Sequence, residues 1–311
     1  MEVATNLTTP ARQLSPVTFL ELELTNRCQL ACTHCYSGAS PTEGHGTMTL
    51  TDWLHLIDSA PAAGIETVQA IGGEPTMHPD FLPLMLHALQ TGLHVQVYSN
   101  LYKVSPALWD LYSRPGVTLA TSYYSDTASE HDKITGRAGS HKRTRAAIGE
   151  ALQRDIALKV AVIDLGDPNQ RAQEAHAEMI ALGVPRVGPI DRVRAVGRAT
   201  DAMAMESNVG ELCGQCGDGR AAVSWDGDVR MCVLSRFLPA GGNVRSTPLA
   251  TILRSEEWNG LLVQVPRHGQ RACKPGSDGN DCSPAETICE SNALILPMIP
   301  SQLIRPNGSA E

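Results

Sequence analysis

Cys28, Cys32 and Cys35 form a CxxxCxxC run, three thiols within eight residues. Thiolates are ligands for zinc and for iron–sulfur clusters. A structural zinc site, such as a zinc knuckle, normally closes with four ligands. A cubane [4Fe-4S] cluster has four irons, so three cysteines leave one iron open to a ligand that is not protein. Further along, Gly72-Gly73-Glu74-Pro75 closes a strand-like stretch. Glycines there let another group approach the backbone closely, and the Glu74 carboxylate is a partner for a cationic amine.

Six more cysteines, Cys213, Cys216, Cys232, Cys273, Cys282 and Cys289, lie in the last third of the chain. Cys213 and Cys216 make a chelating CxxC pair. Ten residues separate Cys216 from Gly227, and four separate Gly227 from Cys232. The intervening Ser224-Trp225-Asp226-Gly227-Asp228-Val229 predicts a hairpin turning at Asp-Gly, so thiols on paired strands point at one metal centre. Cys273, Cys282 and Cys289 follow, separated by eight and six residues. A zinc ribbon stabilising a small lobe is the alternative reading. Nine cysteines, an odd number, in a chain without a signal-peptide pattern fit metal or cluster ligation in a reducing compartment better than disulfides.

The elements that must position these groups follow from periodicity. At 311 residues the chain is long enough for one large domain with an appendage, or for two. A hydrophobic content of 42% supports an ordinary core, built mostly of aliphatic side chains because aromatics are only 4%. Lys and Arg number 25 against 33 Asp and Glu, a net −8 that argues against a general nucleic-acid binder. Apolar runs such as 293–299 fall far short of a membrane span, so a cytoplasmic protein without membrane contact is expected. Strands are predicted at 17–24, 67–71, 95–99, 117–123, 157–163 and, briefly, 186–190. Helices are predicted from Thr49 to a stop at Gly64, then at 80–91, 106–112, 142–154 and 168–182. Six strands alternating with helices make a parallel α/β sheet. Because eight units need about 250 residues, the expected fold is a partial (β/α)6 TIM-like barrel with a small C-terminal cysteine-rich α+β domain. The divisions are an N-terminal segment 1–16, the barrel 17–204, the cysteine-rich domain 205–290 and a tail 291–311. In such barrels chemistry sits at the C-terminal ends of the strands, where the candidate motifs fall. Ser99-Asn100 also reads as an Asx turn, and His131 as a loop cap or a proton carrier. Arg192, Arg194 and Arg198 read as a solvated charged strand, with an acidic substrate or leader peptide as the alternative.

Together the CxxxCxxC loop and the GGEP segment resemble the radical S-adenosylmethionine (radical SAM) superfamily. The resemblance implies that Cys28, Cys32 and Cys35 hold a [4Fe-4S] cluster while the methionine amino and carboxylate groups of SAM chelate its fourth iron. It assigns Gly72, Gly73, Glu74 and Pro75 to SAM binding, Ser99 and Asn100 to the ribose, and Ser122, nine residues before His131-Asp132, to a further SAM contact. His34 stands where relatives usually carry an aromatic before the third cysteine, and a histidine still packs against adenine. Tyr124-Ser125 replaces an Asp-Gly, and Thr135 stands where relatives often have Arg. That leaves Lys133 or Arg137 to pair with the SAM carboxylate. The late cysteines, with Gly242-Asn243, Leu253 and Trp258, resemble the SPASM/twitch extension that holds auxiliary [4Fe-4S] clusters. Because the pattern is incomplete, at least one auxiliary cluster is expected, on Cys213, Cys216, Cys232 and one of Cys273, Cys282 and Cys289; two incompletely ligated clusters are the alternative.

The activity implied is reductive cleavage of SAM to a 5′-deoxyadenosyl radical that abstracts hydrogen from an unactivated carbon. Enzymes with this extension very often modify ribosomally made peptides, so the expected substrate is a precursor peptide undergoing a thioether or carbon–carbon crosslink. The alternatives are a radical peptide epimerase with a free cysteine as hydrogen donor, oxidation or decarboxylation of a sugar or nucleoside in natural-product biosynthesis, and a non-enzymatic iron–sulfur or zinc protein. The expected partners are the peptide or a small molecule and an external electron donor such as flavodoxin or ferredoxin. Because the cysteine loop begins at residue 28, no room is expected for a fused peptide-recognition domain. Leader recognition then falls to a separate protein or to the barrel itself.

Overall fold

The strand that delivers the cysteine loop is β1 (Phe19–Thr25), and all seven of its residues are buried. Leu and Glu alternate along it, which gives the strand one apolar and one acidic face. The computed structural model, which describes residues 14–267, buries both. Leu20, Leu22 and Leu24 enter the main core with Trp53 and Ile57. On the other face Glu21 pairs with Arg220 at 3.4 Å, and Glu23 receives both oxygens' bonds from Arg236 Nη2, at 2.6 and 2.8 Å. A buried carboxylate left without its cation is costly. Arg236→Met should therefore lower stability by about 3–5 kcal/mol in urea unfolding. The double variant Glu23→Leu with Arg236→Met should lose less than that, and equal losses in the two variants would contradict this account.

After β1 the chain alternates: α1 (Leu50–Ser59), β2 (Thr67–Gly72), α2 (Phe81–Gln90), β3 (His94–Tyr98), α3 (Pro106–Tyr112) and β4 (Val117–Tyr123). Then come α4 (Ala128–Thr135), α5 (Ser140–Gln153), β5 (Leu158–Asp164), α6 (Ala172–Ala181), β6 (Arg186–Val187), β7 (Asp191–Arg192) and α7 (Ala199–Met203). The C-terminal part supplies β8 (Arg220–Val223), β9 (Asp228–Arg230), β10 (Gly242–Asn243), α8 (Leu249–Ile252) and α9 (Glu256–Leu262). Thr49 begins α1 with a capping box, its hydroxyl accepting from the Asp52 amide while the Asp52 carboxylate accepts from the Thr49 amide. Helix α4 has no counterpart among the predicted elements, and the last predicted barrel strand is reduced to β6 with β7 beside β5.

The sheet runs β10-β9-β8-β1-β2-β3-β4-β5-β6, with β7 paired to β5. Strands β1 to β6 are mutually parallel, and the path has two free ends, so the barrel is open. The hairpin at Asp226-Gly227 belongs to this same sheet: β8 runs parallel to β1, with Phe19 opposite Arg220 and Leu22 opposite Val223. The sheet is thus continuous past residue 205, where the strand–helix rhythm of the sequence stops. Among the described residues no helix is long and apolar enough to cross a membrane. Cys273, Cys282, Cys289 and the expected tail lie outside the described residues.

Candidate functional site

The C-terminal ends of the parallel strands converge on one cavity of about 230 Å³. Cys28, Cys32 and Cys35 line it from the loop after β1, Gly72 and Gly73 from the end of β2, Ser99 and Asn100 from β3, and Ser122 from β4. These residues are scattered over nearly a hundred positions of the sequence, and the sheet brings them together because parallel strands end on one side.

The cysteine loop is fixed by its backbone. Ala31 and Thr33 donate to the Thr135 and Ile134 carbonyls at 3.0 Å, using acceptors that the end of α4 leaves open. Gly73 donates to Thr25 O at 2.7 Å and Glu74 to Arg27 O at 2.9 Å. A Cβ on Gly73 would lie 2.4 Å from Arg27 O and 2.8 Å from Arg27 C. Only glycine allows this contact.

The three thiols are held in poor solvation. Cys28 Sγ accepts from the Leu30 amide at 3.4 Å and from Asn100 Nδ2 at 3.5 Å. Burial, with the Glu74 carboxylate adding to it, pushes the Cys28 thiol up to about 12. Burial and the neighbouring Cys35 push Cys32 up as well. Such thiols ionise when a metal centre supplies the positive charge. Among the described residues no three His, Cys, Asp or Glu gather tightly enough for one metal ion, and a cluster does not require it, since each cysteine binds a different iron.

Several expected contacts are arranged differently. Glu74 is 1% exposed, and its carboxylate accepts from Thr76 Oγ1 at 2.6 Å, Ser99 Oγ at 2.9 Å, and the Asn100 and Thr76 amides. Three of those bonds fall on Oε1 and one on Oε2, so Glu74 ties β2 to β3. Neither Glu74 nor Pro75 lines the cavity. Asn100 forms an Asx turn through Tyr102 N at 2.9 Å while its Nδ2 reaches Cys28. Ser122 Oγ shares a hydrogen bond with Tyr98 OH at 2.9 Å. Lys133 is exposed on α4, and Arg137 lies over the Tyr102 ring at 5.2 Å. Neither lines the cavity, whose cations are Arg192 and Arg194.

His34 is half-buried, edge-on to Tyr124 at 4.8 Å, and desolvation of its ring, helped by Arg198, lowers its pKa to about 4. His131 sits inside α4 rather than capping a loop, 1% exposed, its ring 5.0 to 5.4 Å from those of Tyr123, Tyr124 and His141. Burial lowers it to about 4 as well. Arg198 is not part of a solvated strand. Its guanidinium donates to the carbonyls of Cys32, Gly38 and Ala39 at 2.8 to 2.9 Å, which makes it the latch of the cysteine loop. The nearby pattern Gly197-Arg198 was its only local signal.

The second cysteine set also converges. Cys213 and Cys216 precede β8, Cys232 follows β9, and all three are buried. Cys216 Sγ and Cys232 Sγ are 3.2 Å apart. The Cys216 thiol donating to Cys213, with Arg194 and Arg220 nearby, holds Cys213 down at about 6. This donor set suits a thiophilic centre.

Comparison with known proteins agrees. The family model described as Radical SAM superfamily matches residues 22–180, about half of the chain, and one described as an iron–sulfur cluster-binding domain, SPASM, matches residues 213–282. The PqqA peptide cyclase of Ruegeria pomeroyi is 30% identical over 51% of this chain and 42% of its own length. The mycofactocin maturase MftC of Mycobacterium tuberculosis is 29% identical over 60% of this chain and 47% of its own. The chain thus spans less than half the length of these relatives. SuiB of Streptococcus suis, solved bound to S-adenosylmethionine, shares the fold with a TM-score of 0.65 at 12% identity, covering 80% of this chain and 68% of that one; it has also been solved bound to its precursor peptide SuiA. The two matched domains imply a SAM-binding [4Fe-4S] cluster and auxiliary iron–sulfur clusters. The cavity fits such groups. Beside its three thiols, His34 Nδ1, His131 Nδ1 and Arg194 Nη2 are buried without hydrogen-bond partners, as expected of walls built around a polar ligand. The protein is a member of the radical SAM superfamily.

Proposed function

We propose that this protein matures a precursor peptide by forming a thioether or carbon–carbon crosslink. The observation that carries the reading is the composition of the cavity wall. One arc presents the three thiols, Gly72-Gly73 and Ser122; another presents Ile163, Val193, Val233 and Leu234, apolar side chains with no part in the expected SAM contacts. A cavity with that second arc has a place for a substrate side chain beside the cofactor. The relatives named as peptide cyclase and maturase support the choice of a peptide.

In this reading Cys28, Cys32 and Cys35 hold the first cluster. Gly72, Gly73, Ser99, Asn100, Ser122 and His34 surround SAM, with the Gly73 backbone in close approach. When bound, the cluster and SAM supply a 5′-deoxyadenosyl radical for hydrogen abstraction. Cys213, Cys216 and Cys232 hold an auxiliary cluster with a fourth cysteine from beyond residue 267. The apolar arc excludes water from the reacting carbon. An external electron donor of the flavodoxin or ferredoxin type supplies reducing equivalents, and a separate protein or the barrel reads the leader. Six buried or half-buried free thiols among the described residues fit a reducing cytoplasm.

The test is anaerobic reaction of dithionite-reduced protein with SAM and peptides encoded by short reading frames beside the gene. Formation of 5′-deoxyadenosine with a peptide lighter by the mass of a hydrogen molecule is expected. A peptide of unchanged mass in H2O that gains one deuterium in D2O would mean epimerisation. Turnover with a sugar or nucleoside and indifference to peptides would remove the peptide reading.

A further inference from the structure

Two cations on the cavity wall, Arg192 and Arg194, have no assigned ligand, although Arg194 also lies near Cys213. Strand β7 extends the end of β5, with Ile163 opposite Asp191 and Asp164 opposite Arg192. Arg192 is exposed at the rim, while Arg194 is 6% exposed inside. The ion pair that Arg194 makes, with Asp191, is loose at 3.6 Å, beyond good hydrogen-bond length. Arg194 Nη2 is buried with no hydrogen-bond partner. A guanidinium has five fixed donors, and burying one without an acceptor is costly. The wall here carries two cations, Arg192 and Arg194, against one carboxylate, Asp191. One further anion completes both the charge and the missing bond.

We propose that Arg194, with Arg192 at the rim, is the receptor for a carboxylate of the substrate peptide, either an acidic side chain or a free C-terminus, at the residue held for reaction. The inference rests on the peptide reading above. SAM brings a carboxylate too, but the expected SAM contacts lie at the ends of β2, β3 and β4. Arg194 stands past β5, on the side where the sheet is open and where Val233 and Leu234 from beyond β9 complete the wall. A peptide entering through that opening meets Arg192 first and Arg194 next.

The experiment uses reconstituted full-length protein with SAM and a bead-bound random peptide library tethered through its N-termini, leaving C-terminal carboxylates free. Wild type should enrich peptides with a carboxylate at a fixed position, Arg194→Lys should keep part of that preference, and Arg194→Gln should lose it. A resynthesised binder changed from acid to amide should lose about tenfold or more in affinity for wild type and less than about twofold for Arg194→Gln. Peptides bound without acid preference would overturn the inference while leaving the peptide reading intact. Capture of no peptide would overturn both. Weakened binding of radiolabelled SAM to Arg194→Gln, with the peptide preference intact, would reassign the receptor to SAM. Loss of iron in Arg194→Gln would reassign the residue to the second cysteine set.

Discussion

Anaerobically reconstituted protein is expected to carry about eight irons, and the variant with Cys28, Cys32 and Cys35 all changed to Ala about four, with no 5′-deoxyadenosine formed. The variant should still fold, because the thiols add only long contacts, at 3.4 to 3.5 Å, to a loop seated by its backbone. Its seat is made of backbone bonds from Ala31 and Thr33 to α4 and from Gly73 and Glu74 to Thr25 and Arg27. Removing the three sulfurs takes away iron ligands and leaves that frame. Cys213, Cys216 and Cys232 are buried at the base of the β8–β9 hairpin, before β8 and after β9, and share no thiol with the first set, so their iron should persist. The reciprocal variant, with Cys213, Cys216 and Cys232 changed to Ala, should also fall to about four irons while retaining SAM cleavage. Iron and sulfide analysis with spectroscopy of the reduced samples reads both. About four irons falling to none in the first variant would refute an auxiliary cluster, and about twelve in wild type would mean a second one.

Much of this arrangement was legible in the sequence, and what was not has physical causes. Helix α3 and strand β4 run where expected because their signals are local: Ser105 caps, Pro106 opens the helix, and 117–123 is a run of strand formers. The cysteine loop and Gly72-Gly73 were legible because the motif requires those residue types wherever it occurs. Helix α4 was hidden, since Ala128–Thr135 is mostly polar and turns only His131, Ile134 and Thr135 inward. Glu74 was legible as a carboxylate at the end of β2 but not in its direction, which depends on Ser99 and Asn100 on another strand. The burial of the acidic face of β1 was not legible, because its partners, Arg220 and Arg236, lie about two hundred residues away. The continuity of β8 with β1 escaped for the same reason: parallel pairing of distant segments leaves no periodic trace in either.

Arg198→Ala should strip iron from the first cluster and spare the second. Three nitrogens of this side chain donate to Cys32 O at 2.9 Å and to Gly38 O and Ala39 O at 2.8 Å, and its own amide donates to Cys35 O at 3.0 Å. The preceding Gly197 lets the segment sit this close, since a Cβ there would lie 2.3 Å from Tyr36 O and 2.5 Å from Cys35 O. Truncation leaves three loop carbonyls without their charged donor. Charge-assisted bonds are worth about 1.5–3 kcal/mol each, and Arg198 is only half-buried, so the combined loss is on the order of 3 kcal/mol. That corresponds to roughly a hundredfold in the population of the ligating loop. Lys should not rescue, because one ammonium on a flexible stem cannot replace a planar fork that spans three carbonyls. Iron content should fall towards half, and the first cluster should yield its iron to a chelator far faster than in wild type. The β8–β9 cysteines should keep theirs, and Arg198→Ala with wild-type iron and wild-type chelation kinetics would show that the loop holds its shape without the latch.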